Sequence, residues 1–294
     1  MTYSLFLQFK PPAERTRIIR YFAARKHFKI ADDNTVVYEN EDTAVGFFVK
    51  LSTGRSLLLR KTVTEAEFEV NYLRPSFFGL EAEIEAAAFV AEFNPRIEDP
   101  QIDGMGKGPY WREGLLAGWN FGNLFSIRTM CAQHPDLRIA SLPADRLHAI
   151  WLWNYRRAER VRSLGSRHFV PKISFTVVDG RLATVAIWPE GMQISLPRVD
   201  YVAVGRMISN NTRFGLAPWS QVVELLRQER FDVTQDPIEV AYFTKPPSIE
   251  NWVGNFPMAD LATLENVPNH QVIDAEILAA AREAIPAEGG NNDA

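Results

Sequence analysis

Hydrophobic and polar residues alternate most cleanly between Glu65 and Tyr72. There Ala66, Phe68, Val70 and Tyr72 interleave with Glu65, Glu67, Glu69 and Asn71. A period of two puts the apolar set on one face of a strand and the acidic set on the other. Extended stretches are also predicted over Tyr3–Phe9, stopped by Pro11 and Pro12, and over Thr35–Glu39, Thr43–Leu51 and Ser56–Arg60. Helical spacing takes over between Ala13 and His27, where Ile18, Ile19, Phe22 and Ala23 share a face. It returns at about Phe77–Phe93, ended by Asn94 and Pro95.

A strand, a helix, several strands and a second helix predict an N-terminal α/β sandwich of ferredoxin-like type over residues 1–95, with helices on one sheet face.

The pattern over 96–285 predicts a second unit. Pro95–Pro109 reads as a loop. Helices follow at about 110–132 and 142–164, the latter with Pro143 near its start and Gly165 past its end. A hairpin spans 172–188, its strands joined by Asp179-Gly180, a dipeptide suited to the positive φ angles of a type I′ turn. Gln193–Ser195 and Tyr201–Gly205 are expected to extend that sheet. Trp219, Val222, Val223 and Leu226 mark an amphipathic helix at 218–230. Residues 237–271 read as a Pro-punctuated, aromatic wrapping segment, followed by a helix at 272–285 and a frayed tail at 286–294. The fold class expected is therefore α+β: a sandwich, a helical segment, and a mixed unit built on an antiparallel hairpin sheet.

Composition narrows the classes. The 294 residues are 46% hydrophobic and 23% charged, the balance of a packed globular chain. The net charge is −4 and the pI about 5.8, so the molecule as a whole exerts no pull on nucleic acid or anionic lipid. No run approaches the roughly 20 apolar residues that span a bilayer, and Met1–Lys10 lacks the basic region and cleavage site of a leader. Cys131 is the single cysteine, which suits a reducing compartment. Cytoplasmic residence, with no membrane association, is the expectation.

The most informative segment is Asp99–Ser126, DPQIDGMGKGPYWREGLLAGWNFGNLFS. Gly104, Gly106 and Gly108 surround Lys107 in a loop, and Gly114, Gly118, Gly122 and Ser126 then recur every four residues along one helical stripe. Interior glycine costs about 1 kcal/mol each relative to alanine. Close packing by another element, or the approach of a ligand or partner, must offset that loss. Packing is the simpler account, with Leu115, Leu116 and Trp119 filling the core beside the stripe.

Named phosphate and metal motifs fail at definite places. A Walker loop needs Ser or Thr where Gly108 stands, and a first glycine where Gln101 stands. A dinucleotide fingerprint is broken by Pro109. Asp99, Gln101, Asp103 and Gly104 match calcium-loop positions, but Tyr110 replaces the required glutamate. Cys131 and His134 make one C-x-x-H half-site with no second cluster for zinc. Free backbone N–H groups ahead of a helix still suit an anion, so Gly104, Gly106, Lys107, Gly108 and Arg112 form a candidate site for a phosphate- or carboxylate-bearing ligand.

Catalytic spacing is absent too. His27, His134, His148, His168 and His270 show no paired arrangement, and no G-x-S-x-G elbow exists. Glu81, Glu83 and Glu85 crowd the start of the 77–93 helix, where the macrodipole favours carboxylates. Arg74 is placed to pair with one of them. No metal and no cofactor is expected.

Basic residues gather at the end of the 142–164 helix. Trp153, Arg156, Arg157, Arg160 and Arg167 compose an interaction face that would fit an acidic protein partner, or a nucleic-acid backbone with stacked bases. Leu147, Ile150, Trp151, Asn154, Ala158 and Val161 supply a buried face, so the arginines also read as a solvated side. Nucleic acid is not the expected partner of an acidic protein.

The leading expectation is a non-enzymatic intracellular protein-binding module of the immunity or inhibitor kind, carried by seven tryptophans and clustered charges. An enzyme or sensor for a small anion at Gly104–Gly108 is the first alternative. A nucleic-acid binder using Arg156–Arg167 is the second.

Overall fold

The computed structural model describes residues 1–55, 61–165, 167–189, 191–208, 211–228, 232–243, 258–259 and 265–283. Contacts divide the chain into two units, Met1–Ala144 with the residues from His270 onward, and Asp145–Asn269. The line expected near residue 95 falls inside the first unit.

The first unit is built on a seven-stranded sheet: β1 (Thr2–Glu14), β2 (Phe28–Ile30), β3 (Thr35–Asn40), β4 (Val45–Arg55), β5 (Lys61–Asn71), β6 (Arg96–Asp99) and β7 (Gly106–Gly108). Its order is β2-β3-β4-β5-β1-β6-β7, and every pairing is antiparallel. Alternation does what the pattern predicts. Ala66, Phe68 and Val70 are buried, while Glu65, Glu67 and Glu69 face the other way.

Helices α1 (Arg15–Ala23), α2 (Phe77–Phe93) and α3 (Arg112–Gln133) cover the dry face. The core is aromatic. Phe22 of α1 stacks on Phe89 of α2 at 5.3 Å, and Phe89 meets Phe68 at 5.4 Å. Tyr38 and Phe47 stack across β3 and β4 at 4.5 Å. Such pairs add about 0.5–1.5 kcal/mol beyond burial. After unit two the chain returns as β19 (Ile273–Asp274), parallel to β8 (Ser141–Leu142), and α7 (Ala275–Glu283). Ile127 and Cys131 of α3 bury Ile273, Leu278 and Ala281 there.

The second unit has α4 (Ala144–Tyr155), α5 (Arg157–Leu164) and α6 (Trp219–Gln228). Its larger sheet contains β10 (Ile173–Val178), β11 (Arg181–Pro189), β13 (Tyr201–Ile208), β14 (Asn211–Pro218), β17 (Met258–Ala259) and β18 (Glu265–Val267), in the order β17-β14-β13-β11-β10-β18. The β10–β11 hairpin turns at Asp179 and Gly180, both at positive φ, as the Asp-Gly signal requires. A second sheet runs β15 (Asp232–Gln235), β16 (Glu239–Phe243), β12 (Gln193–Pro197), β9 (His168–Phe169). Asn154 of α4 both donates to Ile173 O and accepts from Ile173 N, at 2.9 Å each, which fixes that helix to the first strand of the hairpin.

Both units are mixed α+β, with several sheets and helices. Some expectations need correcting. Pro11 and Pro12 do not end β1; its pairing with β5 is interrupted between Gln8 and Ala13, where no ladder N–H is demanded of a proline. Pro95–Pro109 is not all loop, because β6 and β7 lie in it, and the Gly-Lys-Gly composition of β7 carries no strand signal. The 142–164 helix is two helices parted at Arg156. Gln193–Ser195 does not extend the hairpin sheet; β12 pairs with β16 and β9 instead. The segment 237–271 is more regular than expected, since β16, β17 and β18 fall in it. The strand expected at Ser56–Arg60, the last turns of the 218–230 and 272–285 helices, and the tail 286–294 lie outside the described residues.

Candidate functional site

The glycine stripe is filled. A Cβ on Gly118 would sit 2.9 Å from Gly104 Cα and 3.3 Å from the Tyr3 ring; on Gly122 it would strike the Tyr72 side chain, and on Gly114 those of Trp111 and Met105. Bare backbone lets α3 close on β1 and on the Asp99–Gly104 turn. Asp99, almost wholly buried, organises that turn. It accepts from Tyr3 Oη at 2.7 Å, Gln101 N at 3.0 Å and Met105 N at 2.9 Å. Burial, reinforced by the adjacent Asp99 charge, drives the Tyr3 hydroxyl far above its ordinary pKa.

Of the candidate anion residues, Gly104 is part of this packing, and Gly106 and Gly108 are strand positions paired with Asp99 and Ile97. Lys107 Nζ lies 2.8 Å from Glu98 Oε1, and Arg112 Nε 3.1 Å from Glu83 Oε2. Each cation of the candidate site thus has a carboxylate beside it.

Glu81, Glu83 and Glu85 are all buried, and each fastens α2 to a different element. Glu81 Oε1 accepts from Tyr38 Oη, Asn40 Nδ2 and Thr43 Oγ1 at 2.8, 2.7 and 3.1 Å. Glu83 accepts from Tyr110 Oη at 2.8 Å and from Arg112. Glu85 takes Arg25 Nε at 3.0 Å, and burial raises its carboxyl despite that pairing. Arg74 pairs with none of them; its guanidinium bonds Leu73 O and lies over Phe78. The macrodipole of α2 is met by Asp274, whose oxygens accept from Ser76 N at 2.7 Å and Ser76 Oγ at 2.6 Å. A charge nearly two hundred residues distant leaves no local signal.

Trp153, read as part of an interaction face, is a core residue. It is fully buried and donates from Nε1 to Pro171 O at 2.9 Å. Arg160 lies over its ring and bonds Asp236, Arg156 approaches Asp236 at 3.9 Å, and Arg157 donates to Val170 O. Arg167 is exposed. The arginines are thus split between structural contacts and solvent.

His168 and Ser195 share a hydrogen bond of 2.8 Å between β9 and β12. Both are buried, Ser195 completely. Burial lowers the His168 pKa, partly opposed by a backbone bond at Ile194. With no exposed surface, the Ser195 side chain is closed to solvent.

Two surface features stand apart from this structural bonding. The first is on α3. Ala117, Phe121 and Phe125 are exposed at four-residue spacing, the phenylalanines at 42% and 56%. Met1, also exposed, places its Sδ 3.8 Å from Ser126 Oγ, and Ile102 follows Gln101, which accepts from Tyr72 beside Gly122.

The second lies within the second unit. Asp200 Oδ2 accepts from Arg146 Nη2 at 2.7 Å and from Thr184 N and Oγ1 at 2.8 Å each. Burial opposes ionisation there, but the Thr184 and Arg146 bonds outweigh it and hold the carboxyl below its ordinary value. A cleft of about 600 Å³ opens on one side of this network, with Arg181, Arg198, Tyr201 and Trp219 in its wall. One of about 620 Å³, with Asp145, Gln235 and Glu239, opens on the other. Neither cleft has a motif; the residues come from four separate stretches of sequence.

Among the described residues no cluster of three or more His, Cys, Asp or Glu side chains could hold a metal, and no helix is long and apolar enough to cross a membrane. No family model, curated protein or solved structure matches the chain.

Proposed function

We propose that this protein is a non-enzymatic, intracellular protein-binding module of the immunity or inhibitor type, and that it caps its partner with the exposed face of α3. The observation that carries the reading is the pair Phe121 and Phe125, left exposed on a helix that also packs against β1, α2 and α7. Large apolar side chains left together in water at a rigid site mark interaction surfaces, and aromatics are the usual anchors. With Phe121 42% and Phe125 56% exposed, burying what remains in water would supply about 0.6–1.7 kcal/mol each. The buried, free Cys131 supports a reducing compartment.

A finer reading of the scaffold belongs with this. What supports a ferredoxin-like first unit is the antiparallel order β6-β1-β5-β4 with α1 and α2 on one face, β2 and β3 being added at the β4 edge.

The test is affinity capture from an extract of the source cells with the wild-type chain and with Phe121→Glu/Phe125→Glu. Both substitutions are at exposed positions, and thermal melting checks that the fold is kept. The expected result is a stoichiometric protein retained by the wild type and lost by the variant. Equal recovery by both chains, or no stoichiometric protein, contradicts the reading.

A further inference from the structure

We infer that the cleft bounded by Arg146, Arg181, Arg198, Tyr201 and Trp219 binds a phosphomonoester carried on a flat ring, a ligand of the nucleoside monophosphate class. The two clefts that meet at Asp200 differ in charge. Three guanidiniums line the first with the two carboxylates Asp179 and Asp200, whereas the second holds Arg146 and Arg198 with Asp145, Asp200 and Glu239. The first therefore favours an anion and the second does not.

Within the first cleft, Asp200 is occupied by Arg146 and Thr184. That leaves Arg181 and Arg198. Arg181 is exposed and has no ion pair among the described residues. Arg198 reaches Glu239 only at 4.0 Å and keeps 63% of its side chain in solvent. Guanidinium groups present paired N–H donors that match phosphate oxygens, and such charge-assisted bonds are the strong ones.

The wall beside the arginines is aromatic. Tyr201 pairs in register with Pro218, and Trp219 N donates to Asp200 O at 2.9 Å, so the backbone that carries both residues is fixed where they line the cleft. A flat ring can stack there, as bases do on aromatic side chains. The volume suits one small molecule, lying within the usual range of ligand pockets.

This site shares no residue with the α3 face, so either proposal can fail alone. The experiment is isothermal titration of the full chain with the four nucleoside monophosphates, with inorganic phosphate and with adenosine. It is repeated on Arg181→Ala/Arg198→Ala and on Lys107→Ala. The inference expects at least one monophosphate to bind more tightly than phosphate or adenosine alone. The double variant, with melting temperature unchanged, should weaken that binding at least about tenfold, and Lys107→Ala should leave it alone. Absence of heat with every monophosphate at millimolar concentration would overturn the inference. So would affinity for phosphate equal to that for the monophosphates, or binding lost in Lys107→Ala and kept in the double variant.

Discussion

Alanine substitution along the α3 stripe separates packing from ligand access by the sign of its effect. In an unobstructed helix each Gly→Ala change stabilises by about 1 kcal/mol. At Gly118 the new methyl group would stand 2.9 Å from the Gly104 backbone and 3.3 Å from Tyr3, and the turn that must move is tied by three bonds to Asp99. Overpacking of this kind costs about 1–3 kcal/mol, so Gly118→Ala should be net destabilising by about 1 kcal/mol. Gly122→Ala displaces the buried Tyr72 ring and its bond to Gln101; about 2 kcal/mol is expected from the same balance. Gly114→Ala meets only the side chains of Trp111, which is 46% exposed, and Met105. Both can yield, and the net effect should lie near zero. Urea unfolding of the three variants gives the order Gly122, Gly118, Gly114 from most to least harmful. Stabilisation by all three would refute the packing account and return the stripe to a ligand or partner.

Other consequences concern the buried polar groups. Glu81→Ala leaves Tyr38, Asn40 and Thr43 with unmet donors and should cost about 3 kcal/mol or more, read by urea unfolding, with Glu81→Gln far milder because an acceptor oxygen remains. Asp274→Ala removes the distant cap of α2 and should cost about 1–2 kcal/mol, an effect absent in a variant of an exposed carboxylate such as Asp136. Asp200 has a folded pKa below its unfolded value. Its contribution is therefore present above the ordinary aspartate range and lost as pH falls through the lower, folded value. Acid titration of stability should accordingly be shallower in Asp200→Asn than in the wild type; parallel curves would show that the Arg146–Thr184–Asp200 network does not discriminate between the charge states.

Legibility followed the range of the interactions. The β5 alternation, the span of α2 and the Asp179-Gly180 turn were readable because each is fixed by neighbours a few residues apart. β7 was not, since Gly106–Gly108 becomes a strand only by pairing with β6. Pro11 and Pro12 misled for the same reason: proline ends a strand only where its N–H is needed, and that depends on the partner. The role of the α2 carboxylates has no local signal, because Arg25, Arg112 and Tyr38 reach them from three distant stretches of the chain. The Arg181–Arg198 cleft carried no spacing signal at all. Its cations become neighbours only through the parallel pairing of β11 with β13 and the loop that precedes β13.

The central claim is that α3 presents Phe121 and Phe125 to a protein partner. Hydroxyl-radical footprinting of the free chain and of its complex reads those side chains directly, with Phe48, exposed on the other face of the sheet from its buried neighbours Phe47 and Val49, as a reference. The account predicts that oxidation of Phe121 and Phe125 falls severalfold in the complex while Phe48 changes little. Unchanged oxidation of both phenylalanines in a complex of full occupancy would contradict it.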